Sequence, residues 1–252
     1  MTVLAGRGIT RRYGGLAAVD DVDIEVASGE VVALIGPNGA GKTTLFSCLT
    51  GTERPDAGQV LLDGVELTGL SADQVARRGV GRTFQRLALF SSLPVRDNLR
   101  IGAESRRGRY LARGLLGLGD ADGAKQEQRV AEVADLLGLT DVLDQVAGAL
   151  PTGTQRLVEL GRALCRDPQV LLLDEPASGL DTGETRHLQA VLRDLAAQGM
   201  AVLLVEHDLD LVMRTADRVY AMAAGRVLAS GTADEVGRDP RVHAVYLSRT
   251  AP

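Results

Sequence analysis

Val31-Val32-Ala33-Leu34-Ile35-Gly36-Pro37-Asn38-Gly39-Ala40-Gly41-Lys42-Thr43-Thr44 is the stretch that decides how this chain is read. Its first five residues are apolar in succession and three are β-branched, as a strand covered on both faces requires. Gly36, Gly39 and Gly41 then let the backbone turn tightly and gather N–H groups toward one concave point. A helix starting there adds the positive end of its dipole. The pattern G-x-x-x-x-G-K-[ST] is complete in Gly36, Gly41, Lys42 and Thr43, which makes the segment a nucleotide phosphate loop. Backbone and side chains of Gly36, Pro37, Asn38, Gly39, Ala40, Gly41, Lys42, Thr43 and Thr44 are its candidate binding residues. Lys42 is expected to reach the β- and γ-phosphates, and the Thr43 hydroxyl to take one Mg²⁺ position.

Composition sharpens that reading. Of 28 basic residues only Lys42 and Lys125 are lysine. A chain this biased toward arginine nevertheless places a compact ammonium where the broad guanidinium fork would not fit between phosphates. The 252 residues can bury a substantial core as one large domain or two small ones. A net charge of −5, 3% aromatic residues and no Trp argue against an extended nucleic-acid surface. Cys48 and Cys165 lie far apart in apolar stretches and read as buried thiols in a reduced compartment. No run approaches 18 apolar residues and the N-terminus has no signal-peptide pattern. The expectation is a soluble, cytoplasmic chain that meets a membrane only through partners.

Upstream of the loop, Val3–Ile9 and 17–27 read as strands. Val22, Ile24 and Val26 alternate with Asp23 and Glu25 as in a half-buried antiparallel strand. Tyr13 lies between them, in what reads as a turn; spacing alone leaves open whether it stacks on a base or is a surface tyrosine. Downstream, a helix ends near Gly51. Residues 59–67 read as a hairpin turning at Asp63-Gly64, Ser71 as the cap of a short helix, and Val80–Phe84 as a strand ending at Gln85. Residues 88–150 switch to helical patterns and read as an inserted subdomain between two parts of an α/β core, 1–87 and 151–252. Its insert carries Arg106, Arg107, Arg109 and Arg113, read as a solvated loop, or alternatively as a segment near an anionic membrane surface. From Gln155 strands and helices alternate again, which means a mostly parallel sheet with helices on both faces.

A second apolar strand ends in acid at Val170-Leu171-Leu172-Leu173-Asp174-Glu175. A carboxylate at the C-terminal end of a buried parallel strand points into the crevice where α/β sheets bind ligands. Asp174 there can hold Mg²⁺ through water, and Glu175 is placed to orient an attacking water. A third apolar strand, 201–205, leads through Glu206 to His207, which can reach a γ-phosphate from the same edge. Gln85 ends its strand in the same way. Phosphoryl transfer needs positioning and charge stabilisation more than covalent chemistry, and polar residues at strand ends supply them.

In this order the motifs are similar to those of the nucleotide-binding subunit of an ABC transporter, over nearly the full chain. The resemblance implies a P-loop NTPase (RecA-like) α/β core with an antiparallel β-subdomain and an inserted α-helical subdomain. It makes Tyr13 the base-stacking aromatic, Gly36–Thr43 the Walker A motif, and Gln85 the Q-loop residue. Val170–Glu175 becomes Walker B with the catalytic glutamate, Ser178-Gly179-Leu180-Asp181 the D-loop, and His207 the switch histidine. Implied for catalysis are Glu175, His207 and Lys42, and for the metal Thr43, Gln85 and Asp174. Tyr13, Gln85, Gly153 and Asp181 join the phosphate loop in holding nucleotide. The family's Leu-Ser-Gly-Gly-Gln signature stands here as Leu150-Pro151-Thr152-Gly153-Thr154, sharing only Leu150 and Gly153. Pro151 supplies neither hydroxyl nor N–H, and Thr152 or Thr154 is left to supply a hydroxyl. In the family this loop caps ATP on the partner subunit, so the departure bears on the partner's site.

Within the family the chain most resembles ATPases of branched-chain amino-acid importers. Carrying residues are Gly14-Gly15-Leu16-Ala17-Ala18-Val19, Arg82-Thr83-Phe84-Gln85, Glu206-His207-Asp208 with Leu211-Val212-Met213, and Asp239-Pro240-Arg241-Val242 with Tyr246-Leu247. That likeness implies ATP and Mg²⁺ as ligands and a second ABC ATPase subunit, identical or not, as partner. It also implies two transmembrane permease subunits, a solute-binding protein acting through them, no nucleic acid, and a peripheral place on the cytoplasmic face. Alternatives are another cargo (urea, short amides, a lipid-linked molecule) or a non-transport ATPase; a non-hydrolysing module is disfavoured by Glu175 and His207.

Overall fold

A computed structural model describes residues 3–83, 87–104 and 121–247. Phe84, Gln85 and Arg86, and the arginine insert within 105–120, lie outside the described residues. The chain falls into two compact units: 1–82, 169–176 and 192–252 make the first, 83–168 and 177–191 the second.

The first unit is built on a six-stranded sheet. Its strands are β3 (Val31–Ile35), β6 (Val80–Arg82), β7 (Val170–Asp174), β8 (Ala201–Val205), β9 (Arg218–Ala223) and β10 (Arg226–Gly231), in the order β10-β9-β3-β8-β7-β6. All pairs are parallel except the β9–β10 hairpin at the edge. Every residue of β3, β7 and β8 is buried, which is why those strands read as unbroken apolar runs. A second sheet of four antiparallel strands, β2 (Leu16–Ala27), β1 (Val3–Tyr13), β4 (Ala57–Leu62) and β5 (Val65–Glu66), lies across one face. Val22, Ile24 and Val26 are buried in β2 as the alternation requires. The β4–β5 turn has positive φ at both Asp63 and Gly64, the pairing a two-residue type I′ hairpin needs. Tyr13 differs from the expectation: it is the last residue of β1, paired with Leu16, and not part of a turn.

One core cluster joins Val32 and Leu34 of β3 to the antiparallel sheet, to Leu45, Phe46 and Leu49 of helix α1 (Lys42–Leu49), and to Val75 of α2 (Ala72–Arg77). Ser71 caps α2 in a reciprocal box with Gln74. The other cluster joins Ala33 and Ile35 to Val212, Ala233, Val236 and Val242. These come from α7 (Leu209–Thr215), α8 (Ala233–Gly237) and α9 (Pro240–Leu247). Alternate residues of β3 thus face different layers, fixing it as the centre of a three-layer core.

In the second unit α3 (Val95–Glu104), α4 (Ala121–Leu136) and α5 (Thr152–Leu164) pack together, with two 3₁₀ turns between α4 and α5. Leu99, Val130, Val133, Leu137, Leu160 and Leu164 are buried there. Close approach is enforced at Gly161, where a Cβ would lie 2.7 Å from Leu99 Cδ2. The helix α6 (Thr182–Ala197) starts in this unit. No helix among the described residues is long and apolar enough to cross a membrane.

Candidate nucleotide site

Parallel pairing brings the motifs together. Leu34 of β3 pairs with Val205 of β8, and Val205 with Asp174 of β7. The three strands therefore end level, at the edge where open α/β sheets bind ligands. Gly36 opens the loop two residues beyond Leu34, Glu175 follows Asp174, and His207 lies two residues beyond Val205.

The phosphate loop is held by backbone contacts that only glycine permits. At Gly36, with φ of 149°, a Cβ would lie 2.3 Å from the carbonyl oxygen of Met222 in β9; at Gly41, with φ of 101°, it would lie 2.2 Å from that of Ala18 in β2. Ala40 closes the fit by accepting the Gly225 N–H at 3.0 Å. Gly41 caps α1, whose first turn directs its N–H groups back over the loop. Lys42 Nζ donates to Gly36 O at 2.6 Å and Pro37 O at 3.1 Å, so the ammonium is drawn across the loop's mouth. Asn38, Gly39 and Thr43 are exposed, while Gly36 and Ala40 are buried beneath them.

Asp174 is 6% exposed. Burial pulls the Arg82 guanidinium down from its ordinary pKa, and the Asp174 charge opposes that shift. Glu175 adopts a left-handed backbone with φ of 49°, a conformation that a residue with a Cβ occupies only at a cost. The β7–β8 ladder pins it there, since its N–H donates to Val205 O at 2.9 Å. Strain of this kind gathers at functional positions. Glu175 Oε1 lies 3.9 Å from His207 Nδ1. Glu206 is buried to 1% exposure, accepts the His207 N–H at 3.1 Å and places Oε2 3.7 Å from the same Nδ1. The imidazole at this strand end therefore has two carboxylates on its Nδ1 side. Sequence reasoning assigned no role to Glu206; the signal was an acid directly continuing an all-buried strand.

Tyr13 lies in the same unit, half exposed, with its hydroxyl donating to Glu53 Oε2. Gly153 and Asp181 belong to the second unit. Pro151 immediately precedes α5 and gives it no side-chain cap. Gln155 ties the start of α5 down instead, its Nε2 donating to Leu150 O at 2.8 Å. Gly153 is buried, and a Cβ on it would lie 2.3 Å from Glu184 Oε2. Asp181 caps α6 by accepting from Gly183 N and Glu184 N, and Glu184 returns the contact by accepting from Asp181 N. Gln85 lies outside the described residues.

A glycine cradle after the central strand, with paired acids and a histidine level with it, defines a P-loop NTPase. Comparison with known proteins narrows the class. The sequence pattern of the family described as "ABC transporter" matches residues 19–178, and that of "Branched-chain amino acid ATP-binding cassette transporter" matches 226–247. LivG of Escherichia coli K12, a high-affinity branched-chain amino acid transport ATP-binding protein, is 40% identical over 97% of each chain. BraF of Pseudomonas aeruginosa, described in the same words, is 39% identical over 97% of each. Among solved structures, the ADP conformation of MJ1267, an ATP-binding cassette of an ABC transporter, superposes with a TM-score of 0.86, at 31% identity over 98% of this chain and 99% of the other. The chain belongs to the ABC transporter family, as an ATP-binding cassette ATPase.

Proposed function

We propose that this chain powers import of branched-chain amino acids as one of a pair of cassettes. It would be held on the cytoplasmic face by two permease subunits that receive cargo from a solute-binding protein. The hydrolytic part of the reading is carried by one observation: the phosphate loop, Asp174, Glu175 and His207 all leave the same edge of one parallel sheet in register. The cargo is supported by the tail match over 226–247 and by the near full-length likeness to LivG and BraF.

The residues fit a nucleoside triphosphate. The glycine cradle has no room for a Cβ beneath it, and the loop amides and Lys42 supply positive charge. Oxygen donors from Thr43 and Asp174, with Gln85 beside them in the family's pattern, suit a hard cation whose shell substrate phosphates and water would complete. Held by these residues, Mg²⁺ would supply positive charge against the negative charge that develops in phosphoryl transfer.

Lys42 is drawn to the loop mouth by two carbonyls and is positioned to turn its ammonium to the terminal phosphates. Glu175 orients an attacking water and receives its proton, and its fixed backbone keeps the carboxylate aimed. His207, with the Glu206 carboxylate 3.7 Å from its Nδ1, steadies the γ-phosphate. Tyr13 takes the base. Gly153 and the turn at Asp181 serve the ATP site formed with the partner cassette. Gln85 would serve the metal with Thr43 and Asp174, and with the helical subdomain would pass the movement to the permeases.

Co-purification of the tagged chain from native membranes tests the whole reading. Two hydrophobic permeases and a second cassette are expected, and the reassembled complex should accumulate radiolabelled leucine in vesicles on ATP addition. Recovery of ribosomes or repair proteins without any membrane protein would overturn the transport assignment.

A further inference from the structure

Tyr13 is held by two residues outside every motif of the site, Arg11 over its ring and Glu53 at its hydroxyl. Arg11 and Tyr13 are two apart at the end of β1. The Arg11 guanidinium lies over the Tyr13 ring, 5.0 Å from its centroid. Arg11 is itself fixed, with Nε donating to Glu53 Oε2 at 3.2 Å and Nη1 to Asp56 Oδ1 at 3.0 Å. Glu53 Oε2 also accepts the Tyr13 hydroxyl, so one carboxylate oxygen joins ring and guanidinium. Asp56 is locked to the strand by accepting Arg12 N–H at 2.7 Å. Glu53 follows α1 directly, its N–H donating to Ser47 O at 3.1 Å, and Thr44 in the first turn of α1 reaches the same phenol. The carboxylate raises the phenol's pKa above its ordinary value.

We propose that Glu53 and Arg11 are positioning residues that hold Tyr13 as a preformed platform for the nucleotide base. One ring face is covered by the guanidinium, and the phenol is pinned to the helix that starts at the phosphate loop. This rests on the reading of Gly36–Thr43 as the phosphate site and of Tyr13 as its base contact. A half-exposed tyrosine free to turn would lose rotamer freedom on stacking; one already fixed loses little, and the difference appears as affinity. The rigid link through α1 also sets the distance from ring to phosphates, so base and triphosphate are met together.

The experiment is calorimetric titration of the full-length chain with Mg·ATP and, in parallel, with Mg·tripolyphosphate, which carries the charge but no base. Tyr13→Ala is expected to weaken ATP about 10- to 100-fold, the range for loss of one stacked base. Glu53→Ala, Arg11→Ala and Tyr13→Phe are each expected to weaken ATP roughly 3- to 10-fold, the scale of one lost orienting contact. All four should leave tripolyphosphate binding unchanged, and Glu53→Ala should add nothing in the Tyr13→Ala background. Tyr13→Phe keeps the ring and the ion pairs, so it guards against a folding defect. If Tyr13→Ala weakens ATP while the Glu53 and Arg11 variants do not, the positioning role is overturned and the base contact stands. If Tyr13→Ala has no effect while Lys42→Ala weakens binding of both ligands, the base contact itself falls. Equal weakening of ATP and tripolyphosphate by the Glu53 variant would mark it as structural only and overturn the proposal.

Discussion

At the scale of single residues, substitutions at Glu175 and Lys42 test the proposed hydrolysis apart from binding. Glu175 sits in a left-handed conformation already fixed by the ladder bond to Val205 O, so Glu175→Gln changes charge without changing backbone. The expected outcome in the assembled transporter is a 10²- to 10⁴-fold loss of phosphate release, the usual contribution of a positioned base. ATP affinity and melting temperature should stay unchanged, read by titration and calorimetry. A normal turnover rate would remove Glu175 from the role of base. Lys42→Ala acts on the other side: the ammonium between Gly36 O, Pro37 O and phosphate is lost, and ATP and tripolyphosphate should both weaken about 10- to 100-fold. The phosphate loop and the acid pair were legible in sequence because they are contiguous: strand, turn and side chain follow within a few residues. The clamp on Tyr13 was not, because Arg11, Glu53 and Asp56 come together only when β1 passes the end of α1.

At the scale of elements, the glycine of the signature segment gains a structural reason. Gly153 lies in the first turn of α5, where alanine is intrinsically better than glycine by about 1 kcal/mol. Its Cβ direction is filled by the Glu184 carboxylate, which is held in the reciprocal cap of α6. Gly153→Ala must push that carboxylate aside and break a cap worth about 1 kcal/mol, so the single variant should be near neutral. In a Glu184→Ala background the same change should stabilise by roughly 1 kcal/mol. Urea unfolding of the four variants measures the coupling, and strict additivity would mean the carboxylate does not hold Gly153. At the tail, Asp239 caps α9 by accepting Arg241 N at 2.8 Å, and pairing with the Arg241 guanidinium holds its carboxyl down at about 2. A depressed carboxyl stabilises the fold above its ordinary value of 3.8, and that contribution is lost as pH falls toward 2. The protection of α9 amides, taken as exchange relative to the unstructured rate at each pH, should therefore fall across pH 4 to 2 in the native chain and show no such step in Asp239→Asn.

At the scale of the whole molecule, each unit carries its own buried thiol. Cys48 lies in α1 of the first unit and Cys165 at the end of α5 in the second. Burial pushes their thiols up to about 11 and about 12, so both are protonated and shielded at neutral pH. Alkylation should proceed only through opening of the unit that holds the thiol. ATP bound to the loop that begins α1 should slow Cys48 labelling about 100-fold at a hundred times its Kd, if opening of the first unit releases it. Peptide mass spectrometry of iodoacetamide-pulsed protein reads both sites in one sample. A Cys48 rate indifferent to ATP would show that α1 opens without releasing nucleotide.

Local pattern alone determined most of the strands, the phosphate loop, the acid pair, the cap at Ser71, and the α/β class, because each depends on residues within a few positions of one another. The place of β1's end at Tyr13, the burial of Glu206 beside His207, and the packing of α5 with α3 and α4 were decided only by the tertiary structure. An amphipathic helix shows in sequence that it has a buried face, but not which neighbour covers it. Strand order likewise sets β8 between β3 and β7, and that order, which no local pattern encodes, brings Lys42, Glu175 and His207 to one edge.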